Sequence, residues 1–223
     1  MLREGTCGIP GKTGYRYLVH RPGTSPGHGG ALPLVLFLHG SDERGDALAR
    51  VSRHGLPRLV ADGRDLPFVL LAPQCPAGRR WSVRALSALL QHALATFPVA
   101  PDRVVVTGLS LGAEAAWALA MYHPTWFAGL ATVCGGGAPS RAGRLRHLPC
   151  RVYHGALDTQ VPLADSQAMV DALTAAGGDV RFVIYPDAGH AEAWRRAYAD
   201  PDLLAFLASA HRPPTVASRP TRG

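Results

Sequence analysis

The sequence predicts an α/β fold, in which a single domain has a mostly parallel central sheet with helices on both faces. First, short apolar, β-branched segments alternate along the chain with longer segments of helix-forming residues. Second, the central strand segments are apolar at every position, which is typical of strands covered on both faces. Third, 223 residues are enough for one sizeable hydrophobic core and too few for two domains of typical size. No insertion is long enough to form a large cap domain.

The strands and helices can be placed in chain order from hydrophobic pattern and turn residues. Residues 1–14 show no clear pattern, and 21–30 form a loop rich in proline and glycine. The predicted strands are 15–20, expected at an edge of the sheet, and then 34–38, 68–71, 102–108, 129–133, 151–154 and 180–185. The predicted helices are 47–62, broken near Gly55 and Pro57, then 82–97 with Ser82 as N-cap, 111–123, 163–176, and 194–210, interrupted at Asp200-Pro201.

Composition favours a globular protein, since 47% of the residues are hydrophobic and 17% are charged. The formal net charge is +7, but the basic residues are scattered arginines with a single lysine, Lys12, so no basic block predicts nucleic-acid binding. No signal peptide is visible, and no apolar run approaches the roughly 18 residues that span a bilayer. We therefore expect a cytoplasmic protein without stable membrane insertion, and the sequence leaves the oligomeric state open.

The cysteines predict neither a metal site nor a disulfide framework. No pair has the CxxC spacing of metal ligands, and the number of cysteines is too small for a disulfide scaffold. We expect free thiols, although the sequence leaves one disulfide open among Cys7, Cys75, Cys134 and Cys150.

The segment 104–114 combines a β-branched strand, a sharp turn and a helix. Its sequence is Val-Val-Val-Thr-Gly-Leu-Ser-Leu-Gly-Ala-Glu, with Ser110 at the apex of the turn. Gly108 and Gly112 flank this serine because the two limbs of such a turn come too close for side chains. A Gly-x-Ser-x-Gly pattern in this setting is typical of a nucleophile elbow, which places the serine where helix N–H groups favour negative charge. The alternative is an ordinary β-turn serine.

A nucleophilic serine needs a base within hydrogen-bond reach and a third group that orients this base. After an elbow these follow in the order acid, then histidine, each beyond the end of a strand. Asp158 is the predicted acid, with a turn-forming or capping aspartate as the alternative; Asp165 and Asp187 are less well placed. His190 is the predicted base because, among the histidines, it alone satisfies both order and position. His154 ends a strand but precedes the acid.

Two backbone amides are the predicted donors to the oxyanion of the reaction. One is the N–H of Leu111, directly after the nucleophile, and the other is Ser41, in the loop after His39-Gly40. His39 is interpreted as a scaffold residue of that loop in preference to a second catalytic base, and it is also a candidate substrate contact. Trp81 and Trp194 are candidate walls of a substrate pocket, with core packing as the alternative.

Several strings together resemble a known family. They are Leu-His-Gly-Ser-Asp-Glu-Arg-Gly at 38–45, Ala-Pro-Gln-Cys-Pro at 72–76 with Trp81, the elbow with Trp117, Cys-Gly-Gly-Gly at 134–137, and Trp194 followed by Ala197-Tyr198. This combination, spread over about 33–207, resembles the phospholipase/carboxylesterase-like group of serine α/β-hydrolases. That group includes the "predicted peptidase" hydrolases and relatives of feruloyl and polyhydroxybutyrate-type esterases.

The resemblance implies a serine carboxylesterase that forms an acyl-enzyme and uses neither an organic cofactor nor a metal. The catalytic α/β-hydrolase domain would be 31–211, preceded by a segment with an edge strand, 1–30, and followed by a tail, 212–223, whose composition predicts disorder. Without a cap, the site would be an open cleft that favours small soluble esters or esters displayed on a polymer.

Other functions stay open at this point. The same triad could serve a peptidase or a thioesterase, or the fold could belong to a catalytically silent binding protein. A cysteine mechanism like that of dienelactone hydrolase is disfavoured, because position 110 is serine. Ala113 and Glu114 depart from the glycine and aromatic residue usual in the group, and Glu114 is expected to be either solvated or paired with an arginine.

Overall fold

The computed structural model describes residues 1–8, 14–23 and 31–212, and it confirms the predicted α/β fold. The strands of these residues are Leu2–Thr6 (β1), Arg16–His20 (β2), Leu32–Leu38 (β3), Val69–Pro73 (β4), Val99–Leu109 (β5), Gly129–Val133 (β6), Cys150–Gly155 (β7) and Val180–Tyr185 (β8). They form one sheet in the order β1-β2-β4-β3-β5-β6-β7-β8. Strands β3 to β8 run parallel, and β1 and β2 are antiparallel at one edge.

Helices cover both faces of the sheet. They are Gly55–Ala61 (α1), Val83–Thr96 (α2), Leu111–Tyr122 (α3), Leu163–Ala175 (α4), His190–Ala199 (α5) and Pro201–Ser209 (α6), with 3-10 segments at Leu48–Arg53 and Pro139–Leu145. Helices α2, α3 and α4 pack on one face, and α1, α5 and α6 pack on the other. Each face of the sheet has its own hydrophobic core, and β3 is apolar throughout because it contributes to both. Leu34, Leu36 and Leu38 pack in the core under α2, α3 and α4, and Val35 and Phe37 pack in the core under α1, α5 and α6.

The N-terminal region differs from the sequence prediction in two ways. Leu2–Thr6 forms a strand where no pattern indicated one, and β2 is therefore not at the edge. Strand β2 pairs with β1 on one side, where Leu2 lies opposite His20, and with β4 on its other side. Strand β1 is mostly exposed, so backbone pairing rather than an apolar periodicity holds it, and its sequence carries no hydrophobic signal.

The helix boundaries follow local chemistry. Ser82 caps α2 as predicted, and its side chain accepts a hydrogen bond from the Ala85 amide at 3.3 Å. The helix predicted over 47–62 is divided into a 3-10 segment and α1, which meet at Gly55, where φ is +63°. Helix α5 begins at His190 rather than at residue 194.

Some predictions concern residues outside the described chain. The loop at 21–30 and the tail at 212–223 fall mostly there.

None of the described helices is long and apolar enough to cross a membrane. All four cysteines are buried free thiols, so the open question of a disulfide is answered.

The topology brings distant parts of the sequence to one edge of the sheet. Because parallel strands share their carboxyl edge, the loops after β3, β5, β7 and β8 meet there. These loops carry His39 to Glu43, Ser110, Asp158 and His190, respectively.

Candidate active site

Ser110 occupies a strained backbone conformation between β5 and α3. Its φ of 52° and ψ of −122° are rare for a residue with a side chain. The flanking glycines make this turn feasible: a Cβ on Gly108 would lie 2.3 Å from the carbonyl oxygen of Gly112, and one on Gly112 would lie 1.9 Å from that of Leu38. Such strain holds the hydroxyl in one place at the helix N-terminus.

The structure brings Ser110, His190 and Asp158 into one hydrogen-bonded chain. His190 Nε2 lies 3.0 Å from Ser110 Oγ, and Nδ1 lies 2.5 Å from Asp158 Oδ2. An ionised carboxylate only accepts hydrogen bonds, so Nδ1 carries the proton and donates it to Asp158. Nε2 is then left as the acceptor for the serine hydroxyl. This arrangement can deprotonate a serine during nucleophilic attack.

Asp158 is held as an anion by its own turn. The amides of Gln160 and Val161 each donate to Oδ1 at 2.9 Å. Burial of the carboxyl disfavours the charged form, but the Val161 amide, His190 and the Gln160 amide outweigh burial and lower the pKa of Asp158 below its usual range. Asp158 therefore stays ionised at neutral pH and keeps the tautomer of His190 fixed.

His154 also contacts this acid, which the sequence argument missed. Its Nε2 lies 3.2 Å from Asp158 Oδ2 and donates to the Val161 carbonyl at 3.0 Å, and its Nδ1 lies 2.7 Å from the Ser166 hydroxyl. The order rule placed His154 outside the role of base, but its spacing of four residues before Asp158 was a signal for a contact with the acid. Cys134, His154 and Asp158 place ligand atoms within 4.8 Å of one another, yet the contacts of Asp158 are already directed at His190, His154 and two amides.

The two predicted oxyanion donors have free N–H groups. Within the described chain, neither the Leu111 amide nor the Ser41 amide donates a hydrogen bond to another group. Arg44, which the sequence argument did not single out, fixes the Ser41 loop: its Nε donates to the Ser41 carbonyl at 2.9 Å and its Nη1 donates to the Arg79 carbonyl at 3.2 Å. The loop is thus braced with its amides available.

His39 is a scaffold residue, and its interpretation as a substrate contact does not fit its position. The side chain is fully buried, Nδ1 lies 2.7 Å from the Gly40 carbonyl, and Nε2 accepts from the Cys75 amide at 3.0 Å. Burial lowers the pKa of His39 to about 4, so the ring is neutral at physiological pH. Both nitrogens therefore hold backbone groups.

The two candidate pocket tryptophans mainly support other site residues. Trp81 is half-buried; its Nε1 donates to the His39 carbonyl at 3.2 Å, so it braces the Ser41 loop from outside. Trp194 is 6% exposed, and its ring lies edge-on to His190 at a centroid distance of 4.6 Å. Core packing thus accounts for Trp194, while Trp81 keeps a partly open face.

A cleft of about 600 Å³ runs along the exposed face of α3, the helix that follows Ser110, and neither Ser110 nor His190 nor Asp158 lines it. Glu114, Ala118 and Tyr122 are spaced four residues apart on α3, so they share one face of this helix. Residues 136–139 form the opposite wall. Gly135, directly before this wall, lies close to the elbow, since a Cβ on Gly135 would lie 2.9 Å from the Ser110 carbonyl oxygen. Glu114 is paired with Arg80 at the rim, which was one of the two expectations for it.

The fold and this constellation define the class of the protein, an α/β-hydrolase. Comparison with known families agrees: the profile of the dienelactone hydrolase family matches residues 78–203, which span the elbow, Asp158 and His190. The chain belongs to the dienelactone hydrolase family, and residue 110, at the apex of its elbow, is a serine.

Individual relatives extend this result. A thermostable esterase of known structure superimposes with a TM-score of 0.80 at 26% identity, over 95% of this chain and 63% of that one. A ferulic acid esterase superimposes with a TM-score of 0.71 at 16% identity, over 93% and 96% of the two chains, which shows a shared fold. A Salmonella typhimurium protein that provisionally carries the name carboxymethylenebutenolidase is 29% identical over 98 residues, 40% of this chain and 36% of that protein. The match therefore covers about a third of that curated relative.

Proposed function

We propose that this chain is a carboxylic-ester hydrolase in which Ser110 is the nucleophile, His190 the general base and acid, and Asp158 the residue that orients His190. The observation that carries the proposal is the hydrogen-bonded chain from Ser110 through His190 to Asp158, at distances of 3.0 and 2.5 Å. Family membership and the fold shared with esterases support the same reaction class.

The proposed reaction runs in two halves. Ser110 Oγ attacks the ester carbonyl carbon while its proton passes to His190 Nε2, and the carbonyl oxygen becomes an oxyanion. The amides of Leu111 and Ser41 donate to this oxyanion, and each such donor is typically worth roughly 10²–10³ in rate. The tetrahedral intermediate expels the alcohol, which takes the proton from His190. Water then attacks the acyl-enzyme with His190 as base, and the acid product leaves Ser110 free.

A substrate panel tests the proposed reaction class. Purified protein is assayed with p-nitrophenyl acetate and butyrate, a feruloyl ester, a lactone, a thioester and a peptide anilide. We expect hydrolysis of the oxygen esters well above that of the peptide anilide. A preference for the anilide or the thioester would replace the ester assignment with the peptidase or thioesterase alternative.

We further propose that the cleft along α3 binds the acyl group of the substrate. Ala118, at the middle of the exposed face of α3, leaves room there, and the cleft walls are mainly apolar. Ala118→Trp should lower kcat/KM for p-nitrophenyl octanoate on the order of tenfold, because the indole fills the space of the longer chain. The value for p-nitrophenyl acetate should change less than about twofold, since the acetyl group does not reach Ala118.

Ala205→Trp is the matched control, because Ala205 is an exposed alanine on α6, the opposite face of the sheet. This variant should leave the ratio of octanoate to acetate activity unchanged. An Ala118→Trp enzyme with the ratio of the wild type would show that acyl groups bind elsewhere.

A further inference from the structure

A buried carboxyl group that this mechanism does not use lies next to the Ser41 loop. Glu43 is 1% exposed, and among the described residues neither of its side-chain oxygens has a hydrogen-bond partner. Burial of an uncompensated charge is costly, so such a carboxyl tends to keep its proton. Glu43 is therefore expected to keep its proton more readily than the acids of the protein surface do.

Glu43 is close to the nucleophile, with the Gly40 backbone between them. A Cβ atom on Gly40 would lie 3.5 Å from Glu43 Oε2 and also 3.5 Å from Ser110 Cβ. The oxyanion of the proposed reaction forms beside Ser110. A charge on Glu43 would consequently act on the oxyanion at short range and through a water-poor region, where electrostatic interactions are strong.

The surroundings of Glu43 do not fix its charge. His39 Nδ1 lies 3.8 Å from Oε2, and His54 Nε2 lies 3.7 Å from Oε1, both too far for a hydrogen bond. Asp42, on the same loop, disfavours the anion, and Arg53, at the end of the 3-10 segment, favours it. Both of these side chains are exposed, so solvent screens them.

Burial shifts the pKa of Glu43 toward the physiological range. Burial raises the pKa of Glu43 to about 7, even though the nearby amides of Glu43 and Gly40, which do not reach hydrogen-bond geometry with the carboxyl group, favour the charged form. Burial also lowers the pKa of His54, so neither this ring nor the neutral His39 supplies a compensating charge above neutrality. Other acids packed near the loop titrate higher, since burial raises the pKa of Cys75 to about 11 and that of Tyr15 to about 12.

We propose that Glu43 is a positioning residue of the oxyanion loop, and that loss of its proton sets the alkaline limit of activity. The inference rests on the proposed ester hydrolysis. Neutral Glu43 packs against Gly40 and leaves the loop amides directed at the substrate. Ionised Glu43 attracts the N–H groups of Gly40 and of its own residue, and it adds a negative charge beside the one that develops on the substrate. Both effects raise the energy of the oxyanion.

The test compares pH profiles of kcat for p-nitrophenyl butyrate in the wild type and Glu43→Gln, which keeps the shape and removes the charge. The wild type should show a bell, whose acid limb reports protonation of the base and whose alkaline limb reports Glu43. Glu43→Gln should keep the acid limb and lose the alkaline one. Its activity relative to the wild type should rise on the order of tenfold from about pH 6 to about pH 9.

Asp42→Asn is the matched control, because it removes a solvent-exposed negative charge one residue away. Its profile should keep both limbs, with the alkaline midpoint slightly lower because Asp42 disfavours the Glu43 anion. An alkaline limb that persists in Glu43→Gln, or a wild type with no such limb below about pH 9, would overturn the inference. A wild type that hydrolyses no ester would instead overturn the proposed function, and the inference with it.

A measurement on the wild type alone covers the case in which Glu43→Gln does not fold. The infrared carbonyl band of a protonated carboxylic acid should disappear with the same midpoint as the alkaline limb of kcat. A limb whose midpoint differs from that of every such band would overturn the assignment.

Discussion

Replacing Ser110 with alanine should abolish ester hydrolysis and leave the fold intact. The substitution removes one hydroxyl, whose only described hydrogen bond is to His190, and keeps the Cβ atom on the strained backbone. Without a nucleophile, only binding and oxyanion stabilisation remain, so kcat for p-nitrophenyl butyrate should fall by roughly 10⁴-fold or more. Circular dichroism and thermal melting of the variant should match those of the wild type.

The control for this variant is Ser209→Ala, at the last residue of α6, where the hydroxyl bonds, among the described residues, only to the Ala205 carbonyl. It should hydrolyse esters like the wild type. A Ser110→Ala enzyme that retains more than about a tenth of its activity would show that another group is the nucleophile.

Replacing Gly112 with alanine should have the largest effect on stability. The new Cβ would lie 1.9 Å from the carbonyl oxygen of Leu38 and 2.6 Å from that of His39, and neither backbone atom can yield without moving β3. Clashes with backbone in a packed core are among the few mechanisms that destabilise strongly, so we expect a loss of about 3 kcal/mol or more in the free energy of unfolding. Urea denaturation monitored by tryptophan fluorescence measures this.

Gly143→Ala is the matched control, since its Cβ would meet only the Ala176 Cβ at 3.7 Å, an ordinary contact. Its unfolding midpoint should stay close to that of the wild type. A Gly112→Ala variant as stable as the wild type would show that α3 does not approach β3 as closely as described.

Much of the fold was predictable because its signals are local. The buried parallel strands are continuous apolar runs, and the elbow has its glycines at fixed offsets from Ser110. Asp158 and His190 were predictable because chain order and strand ends constrain them. Whether their side chains meet depended on topology, which brings the ends of β5, β7 and β8 to one edge.

The features that sequence reasoning missed depend on three-dimensional contacts. Strand β1 is held by pairing rather than by an apolar pattern. Glu43 sits in a charged string, Asp-Glu-Arg, that reads as a solvated loop, and only the fold buries it. His154 and Arg44 act through other site residues, so no motif for the reaction itself includes them.

Labelling with a fluorophosphonate, followed by peptide mass spectrometry, tests the central claim most directly. The reagent reacts with a serine only when a base removes its proton and donors stabilise the phosphoryl oxygen. We predict one adduct per chain, on Ser110, and a rate of labelling that falls strongly in His190→Gln. An adduct on a different residue, or no adduct on folded protein, would contradict the account.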